Sequence, residues 1–174
     1  MGKNILVPYD GSEHADKALD LAADIALQSG ATLHVVHALI HGHVPGWIRA
    51  MSDIPADLGV EGAPEEGFTQ AELPRDGASG HVEPAQAPRN VLEDIAAKLL
   101  ERAAQRVRER GLEQVDTAWH SGGAAEVILE QARARGADTI VMGSSGLSNL
   151  EGILIGSVSH KVAHAFDGTV VTVK

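Results

Sequence analysis

The chain has 174 residues and a mass of 18.2 kDa, the size of one domain that can bury its own core. Its formal net charge of −10 opposes binding to nucleic acid, and its lack of cysteine excludes disulfides, thiolate zinc sites and thiol catalysis. No apolar run approaches the ~20 residues of a membrane span, and no basic and apolar leader precedes the first strand. We therefore expect one domain, residues 1–174, that is soluble, cytoplasmic and not inserted in a membrane.

The first forty residues follow a strand–helix–strand pattern. Residues 3–7 are an apolar strand that Pro8 closes, because proline has no N–H for a central ladder. Ser12 is a good N-cap for a helix whose apolar residues recur every three or four positions up to Gly30. Residues 32–39 are β-branched and apolar, as in a buried strand. Such a unit is the building block of a parallel sheet.

The segment at about 41–89 breaks this pattern. It holds six of the seven prolines, seven glycines and eight acidic residues. This composition buries too little apolar area to offset the entropy of ordering. We predict a mobile acidic insert, a lid or tether rather than a second domain.

Strand and helix patterns alternate again in the second half of the chain. Strand patterns lie at 115–119, 138–142 and 169–173, and helical patterns lie at 90–110, 124–135 and 156–166. The whole order predicts an α/β fold with an open five-stranded parallel sheet and helices on both faces. Ligands of such folds bind outside the carboxyl ends of the strands.

A glycine- and serine-rich loop follows the strand at 138–142. Gly143-Ser144-Ser145-Gly146 is followed after nine residues by Gly156-Ser157. Glycines let backbone N–H groups approach an anion, and the next helix adds the positive end of its dipole, so this loop predicts a phosphate site. It is neither a Walker A loop nor the G-x-G-x-x-G of dinucleotide-binding folds.

Other candidate residues have two interpretations. Asp10 directly follows the first strand, where it either contacts a ligand or its metal, or caps the turn at Gly11-Ser12. Two groups of histidines, His37 with His41 and His43 and His160 with His164, lack a third ligand at a recognised spacing, which favours capping or exposed histidines over a metal site. No nucleophile–base–acid arrangement is visible.

The spacing G-x2-G-x9-G-[ST], the opening segment 4–12 and the run 140–144 together resemble the universal stress protein family of the UspA type, specifically its ATP-binding branch. The resemblance covers residues 1–40 and 90–174, and it implies a Rossmann-like fold of the adenine nucleotide alpha hydrolase-like type. By this resemblance Asp10 lies on the nucleoside side, Pro8 and Tyr9 wall the pocket, the backbone of Ala38 faces adenine and Gly122 borders the pocket. The residues that it implies around the phosphates are Gly143, Ser144, Gly146, Gly156, Ser157, Val158 and Ser159, with Val158 acting through its N–H and Ser159 through its hydroxyl. Met142 is a further nucleotide-binding residue by the same resemblance.

The resemblance implies a stress-response or regulatory protein that binds ATP, ADP or AMP, with Mg²⁺ or Mn²⁺ on the phosphates. It also implies a homodimer through the C-terminal strand and a possible protein client. The loop at 143–159 holds neither lysine nor arginine, so we expect at most slow ATP hydrolysis. Two alternatives stay open: an adenylating or ATP-hydrolysing enzyme of related fold, and an interaction module that binds no nucleotide.

Overall fold

The computed structural model describes residues 4–39, 89–144 and 156–174. The insert predicted at 41–89, which includes His41 and His43, lies outside these residues except for Arg89. Gly146 of the predicted phosphate loop also lies outside them. The described elements are β1 (Asn4–Pro8), α1 (Glu13–Ser29), β2 (Thr32–Leu39), α2 (Arg89–Glu109), β3 (Val115–Ser121), α3 (Ala124–Ala134), β4 (Thr139–Gly143), α4 (Ser157–Ala165) and β5 (Thr169–Val173). Their order and type are as predicted.

The five described strands form one sheet in the order β3-β2-β1-β4-β5, and every neighbouring pair is parallel. This confirms the predicted fold class. Strand β1 is central, and the direction of winding reverses between β1 and β4, because the chain builds outward through β2 and β3 before it returns to β4. In an open α/β sheet this reversal point is where a crevice forms.

The sheet is covered on both faces, because alternate side chains of each strand point to opposite sides. On one face, Ile5, Val7, Leu33, Val35 and Val141 pack with α1 and α2. Helix α1 lies close to this face because its buried positions are mostly alanine. On the other face, Leu6, Val36, Ile140 and Met142 pack with residues of α3 and α4 such as Ile128 and Val162.

The three shortest ion pairs between α1 and the end of α2 are regularly spaced along both helices. Arg102 meets Asp16 at 3.3 Å, Arg106 meets Asp20 at 2.7 Å and Arg110 meets Asp24 at 2.7 Å. Both sets of residues advance in steps of four, so α1 and α2 run parallel and meet once per turn. This arrangement places α2 over the loop after β1, where an added Cβ at Gly11 would lie 2.9 Å from Leu99 Cδ1.

In the described parts of the chain, none of the helices is long and apolar enough to cross a membrane.

Candidate functional site

The loops at the carboxyl edge of the sheet are joined by backbone hydrogen bonds. Tyr9 N donates to Val36 O at 2.9 Å, Gly122 N donates to Leu39 O at 3.1 Å, and Ser144 N donates to Val173 O at 2.7 Å. Each bond links the residue just past one strand to the neighbouring strand. The segments predicted to form the site are thereby held along one edge.

Pro8 lies where β1 and β4 separate. The β1–β4 register pairs Ile5 with Thr139 and Leu6 with Ile140, whereas the β1–β2 register continues to Pro8 itself. Because the Tyr9 N–H points to β2, the nitrogen of Pro8 faces the β4 side, where it has no hydrogen to donate. Pro8 thus lies beyond the last β1–β4 register pair, and its lack of an N–H leaves no donor unpaired on that side.

Asp10 caps the turn that leads into α1. Its Oδ1 accepts hydrogen bonds from the Ser12 amide at 3.0 Å and from the Ser12 hydroxyl at 2.6 Å. The Ser12 oxygen in turn accepts from Ala15 N at 3.2 Å, which confirms Ser12 as the N-cap of α1. The capping role is therefore present. Oδ2 of Asp10 takes no part in these bonds, and the carboxylate is half-buried at the edge.

Tyr9 offers only its backbone to this edge. Its side chain is buried on the α1 face, where its hydroxyl donates to Asp16 Oδ1 at 2.5 Å. Burial, and then the hydrogen bond to Asp16, raise the pKa of Tyr9 well above its usual value. The Tyr9 carbonyl accepts from His37 Nδ1 at 2.8 Å, so this histidine fixes the loop after β1.

The start of α4 is fastened to the end of β4 through Ser144. The Ser144 carbonyl accepts from Gly156 N at 2.6 Å and from the Ser159 hydroxyl at 2.8 Å. The hydroxyl also lies 2.9 Å from Gly156 O, and it has a single hydrogen to share between the two carbonyls. Ser144 and Ser159 are both buried. Of the residues predicted to hold phosphate, the structure therefore brings together Gly143, Ser144 and the segment 156–159.

Two helices begin at this edge with a glycine N-cap, and they differ in charge. Neither Gly123 before α3 nor Gly156 before α4 has a side-chain cap bond. At α3, the carboxylate of Glu126 folds back against Gly123, so the helix's own acid meets the positive end of its dipole. The first turn of α4 holds no acid, and the Ser157 side chain is exposed. An anion is thus favoured at α4 over α3.

Ala38 and His120 lie side by side toward the β3 end of this edge. They are register partners in β2 and β3, so their side chains share one face. Ala38 packs against the cluster on the α3 and α4 face, to which Met142 also belongs. Gly122 follows β3 in a conformation with φ of 150° that favours glycine, and an added Cβ there would lie 3.0 Å from Val127.

His120 carries a polar atom that the sequence did not reveal. Its Nε2 is buried and has no hydrogen-bond partner among the described residues. Leaving such an atom unsatisfied costs about 1–3 kcal/mol. No sequence signal identifies this atom, because a histidine in an alternating strand is as compatible with a solvent-facing position as with a buried one.

Of the other histidines singled out by the sequence, one is hydrogen-bonded to the backbone and two are exposed. His37 bonds to Tyr9 O, and His160 and His164 are exposed on α4. Among residues 4–39, 89–144 and 156–174, no three His, Asp or Glu side chains are grouped so as to hold a metal ion.

The chain is similar to known proteins over its whole length. The model of the Universal stress protein family matches residues 1–174. Universal stress protein YxiE of Bacillus subtilis (strain 168) is 31% identical over 163 residues, which are 94% of this chain and 93% of that protein.

Solved structures share the fold. Universal stress protein UspA from Lactobacillus plantarum has a TM-score of 0.67 and 19% identity. The match covers 99% of this chain and 97% of the Lactobacillus chain. A universal stress protein in complex with cAMP has a TM-score of 0.61 and 23% identity, with coverages of 99% and 97%. The universal stress protein from Archaeoglobus fulgidus in complex with dAMP has a TM-score of 0.56 and 19% identity, with coverages of 100% and 98%. Because the family model spans the chain and the Bacillus relative matches nearly all of it, the chain belongs to the universal stress protein family.

Proposed function

We propose that this protein binds an adenine nucleotide, ATP in the first place, at the carboxyl edge of its sheet and uses it to control conformation or assembly in a stress response. The observation that carries the proposal is the acid-free, glycine-capped start of α4, fastened to the end of β4 through Ser144. Two proteins of the same fold, one bound to cAMP and one bound to dAMP, support the choice of an adenine nucleotide.

The phosphates would lie against the first turn of α4. The amides of Ser157, Val158 and Ser159 have no acceptor within the helix, because the first residues of an α-helix lack a carbonyl four positions earlier. Gly143 and Gly156 carry no Cβ, so their backbones can be approached closely. These groups bind the anion through dipoles and hydrogen bonds, which offsets the repulsion from a chain with net charge −10. Gly146 is assigned to the same loop by the sequence motif alone.

Ser159, one of the two buried serines, holds the turn of the proposed site in place. Its hydroxyl donates to Ser144 O, and that bond positions the turn whose amides face the phosphates. We therefore propose that Ser159 contributes chiefly by fixing the geometry of the turn, while Ser157, which is exposed, can donate directly.

The nucleoside would lie along the reversal point, between Pro8 and Met142, with the base beside Ala38 and Gly122. Ala38 is small, so its backbone is accessible to a flat ring. Asp10 keeps Oδ2 for the ribose or for a metal while Oδ1 holds the turn.

A Mg²⁺ or Mn²⁺ ion would be held mainly by the phosphates and by water, with Asp10 as the protein carboxylate at this edge. Mg²⁺ is commonly bound in this way, through one or two carboxylates and the phosphates of its ligand. Asp10 fits an ion that arrives with the nucleotide, because only its Oδ1 is used to hold the turn.

Binding without efficient turnover is favoured over catalysis. Phosphoryl transfer requires a cationic clamp on the phosphates, and residues 142–160 contain neither lysine nor arginine. An adenylating or ATP-hydrolysing enzyme is the alternative, and steady release of AMP, ADP or pyrophosphate in a product assay would favour it.

Assembly through β5 is part of the proposal. Strand β5 is an edge strand of the described sheet, and Val170, Val171 and Val173 are only half-buried. An apolar, β-branched edge of this kind is a template for pairing with a second copy. Sedimentation at several protein concentrations tests whether the chain is a dimer, and a monomer throughout would contradict it.

Calorimetric titration of Mg-ATP into nucleotide-free protein tests the binding site, with the variant Ser157→Glu beside the wild type. An acid in the first turn favours the helix by about 0.3–1 kcal/mol but repels phosphate, so the variant should keep its thermal stability and bind ATP roughly tenfold more weakly or worse. Its affinity for adenosine should change little. Gln114→Glu, which adds the same charge at an exposed position before β3, at the opposite edge of the sheet, is the matched control. No binding to the wild type, as expected of an interaction module without nucleotide, would reject the proposal.

A further inference from the structure

We infer, on the basis of the proposed nucleotide site, that Nε2 of His120 hydrogen-bonds to the edge of the adenine base and contributes to the affinity for the nucleoside. The observation behind this assignment is that Nε2 is buried without a partner among the described residues. Buried polar atoms in folded proteins nearly always have a partner, and one that lacks a partner in the protein points to a bound group.

The position of His120 agrees with a base contact. It is the register partner of Ala38, and Gly122 follows it by two residues. Its side chain lies on the same face as Ala38 and Met142, the face that α3 and α4 cover. The phosphate end of the site is at α4, beyond β4, so the β2–β3 side of the edge is the end at which the base would lie.

The chemistry of imidazole fits this contact. A neutral histidine has one ring nitrogen that donates and one that accepts, and the tautomer adapts to its partner. The edge of adenine offers an amino donor and ring-nitrogen acceptors, so Nε2 finds a partner in either tautomer. A buried group that the base satisfies penalises ligands that leave it unpaired, so the contact strengthens binding of the nucleoside part of the ligand.

Two substitutions test the assignment. His120→Phe keeps a ring and removes Nε2, while His120→Gln places an amide that can donate or accept near the same position. If His120 reads the base, His120→Phe should bind ATP and adenosine both about fivefold to tenfold more weakly, the effect of one lost hydrogen bond, and His120→Gln should recover most of the affinity. The loss is expected to be equal for the two ligands, because the contact is to the base.

The stability of the nucleotide-free protein gives the second measurement. Because Phe removes an unsatisfied buried atom, His120→Phe should raise the melting temperature of the free protein by roughly 2–4 °C. If Nε2 instead bonds to another part of the chain, the same substitution lowers the melting temperature, and the inference is overturned.

The outcomes separate this inference from the proposed function. ATP binding that is strong in the wild type, weakened in Ser157→Glu and unchanged in His120→Phe would leave the nucleotide site in place and reject His120 as a base contact. Absence of binding in the wild type would reject both.

Discussion

Ser159 donates its buried hydroxyl to the carbonyl oxygen of Ser144 at 2.8 Å, across fifteen residues of sequence. This bond joins the first turn of α4 to the end of β4. Together with the 2.6 Å bond from Gly156 N to the same carbonyl, it makes Ser144 the anchor of the proposed phosphate site.

Replacing Ser159 by alanine tests whether that hydroxyl anchors the turn or binds phosphate. As an anchor, its loss should lower the free energy of unfolding of the nucleotide-free protein by about 1–2 kcal/mol, measured by urea denaturation. Ser157→Ala, at an exposed position two residues earlier, is the control and should leave the stability nearly unchanged. Normal stability of Ser159→Ala together with weaker ATP binding would show that the hydroxyl serves the ligand directly.

Gly11, in the loop after β1, can be compared with Gly30, at the end of α1, because their backbone conformations are similar. Both have positive φ, 78° and 66°, so alanine is strained at either position by about 1–2 kcal/mol. Only at Gly11 does an added Cβ meet another side chain, Leu99 of α2. Gly11→Ala should therefore destabilise the protein by about 1 kcal/mol more than Gly30→Ala. Equal losses in the two variants would mean that α2 does not press on this loop.

Leu99→Ala provides the complementary check on the Gly11 prediction. In the Gly11→Ala background it removes the side chain that the new methyl group meets, so the two substitutions should be less destabilising together than their sum. Simple additivity would contradict the contact.

Tyr9 can be titrated alone, because it is the chain's only tyrosine. Its pKa is raised above 10.0, chiefly by burial and then by the bond to Asp16. The folded protein should therefore show no tyrosinate absorbance at pH 10, where an exposed tyrosine is half ionised. A folded-state pKa above the unfolded one gives stability that is complete below about pH 10 and is lost as the pH rises toward the folded value. Tyrosinate absorbance near pH 10 in the folded protein would place Tyr9 in solvent.

The ion pair of Arg106 with Asp20 should stabilise the contact of α1 with α2. The hydrogen bond from Arg106 lowers the pKa of Asp20 below 3.8. A depressed folded-state pKa gives stability that is present above about pH 4 and is lost as the pH falls through the folded value. A double-mutant cycle with Arg106→Gln and Asp20→Asn should give a coupling of about 1 kcal/mol at neutral pH. Nε and Nη2 of Arg106 donate to the two oxygens of this partly buried carboxylate at 2.7 and 2.8 Å, and such bidentate pairs are stronger than ordinary surface pairs.

Arg110 with Asp24 is the internal control for that cycle. The Asp24 side chain is 46% exposed, against 27% for Asp20. The coupling between Arg110 and Asp24 should therefore be smaller than that between Arg106 and Asp20. A larger coupling for the outer pair would contradict the role given to partial burial.

Much of the fold could be read from the sequence because its signals are local. Ser12 and Gly30 mark the ends of α1 through an N-cap bond and a left-handed C-cap, and both are present as predicted. The ends of β1 differ from the prediction by one residue, since Pro8 pairs with Val36 inside the strand. The prediction ended the strand before Pro8 because proline has no N–H. The nitrogen of Pro8 faces the β4 side, where the β1–β4 pairing has already ended at Leu6, so the missing N–H does not interrupt the pairing with β2.

The features that the sequence did not predict depend on long-range packing. The pairing of Asp16, Asp20 and Asp24 with arginines 86 residues later depends on the parallel register of two helices, which no local pattern encodes. Likewise, the Gly-Ser spacing predicted a phosphate loop, but it could not show that Ser159 bonds to Ser144. The assignment of individual residues to the nucleotide therefore stays a prediction.

The most direct test of the central claim is to follow backbone amide signals by NMR while Mg-ATP is added to nucleotide-free protein. The account predicts large, saturable shifts for the amides of Ser157, Val158 and Ser159 at the start of α4, and smaller ones for Ala124 and Ala125 at the start of α3. Shifts concentrated at α3, or none at α4, would contradict it.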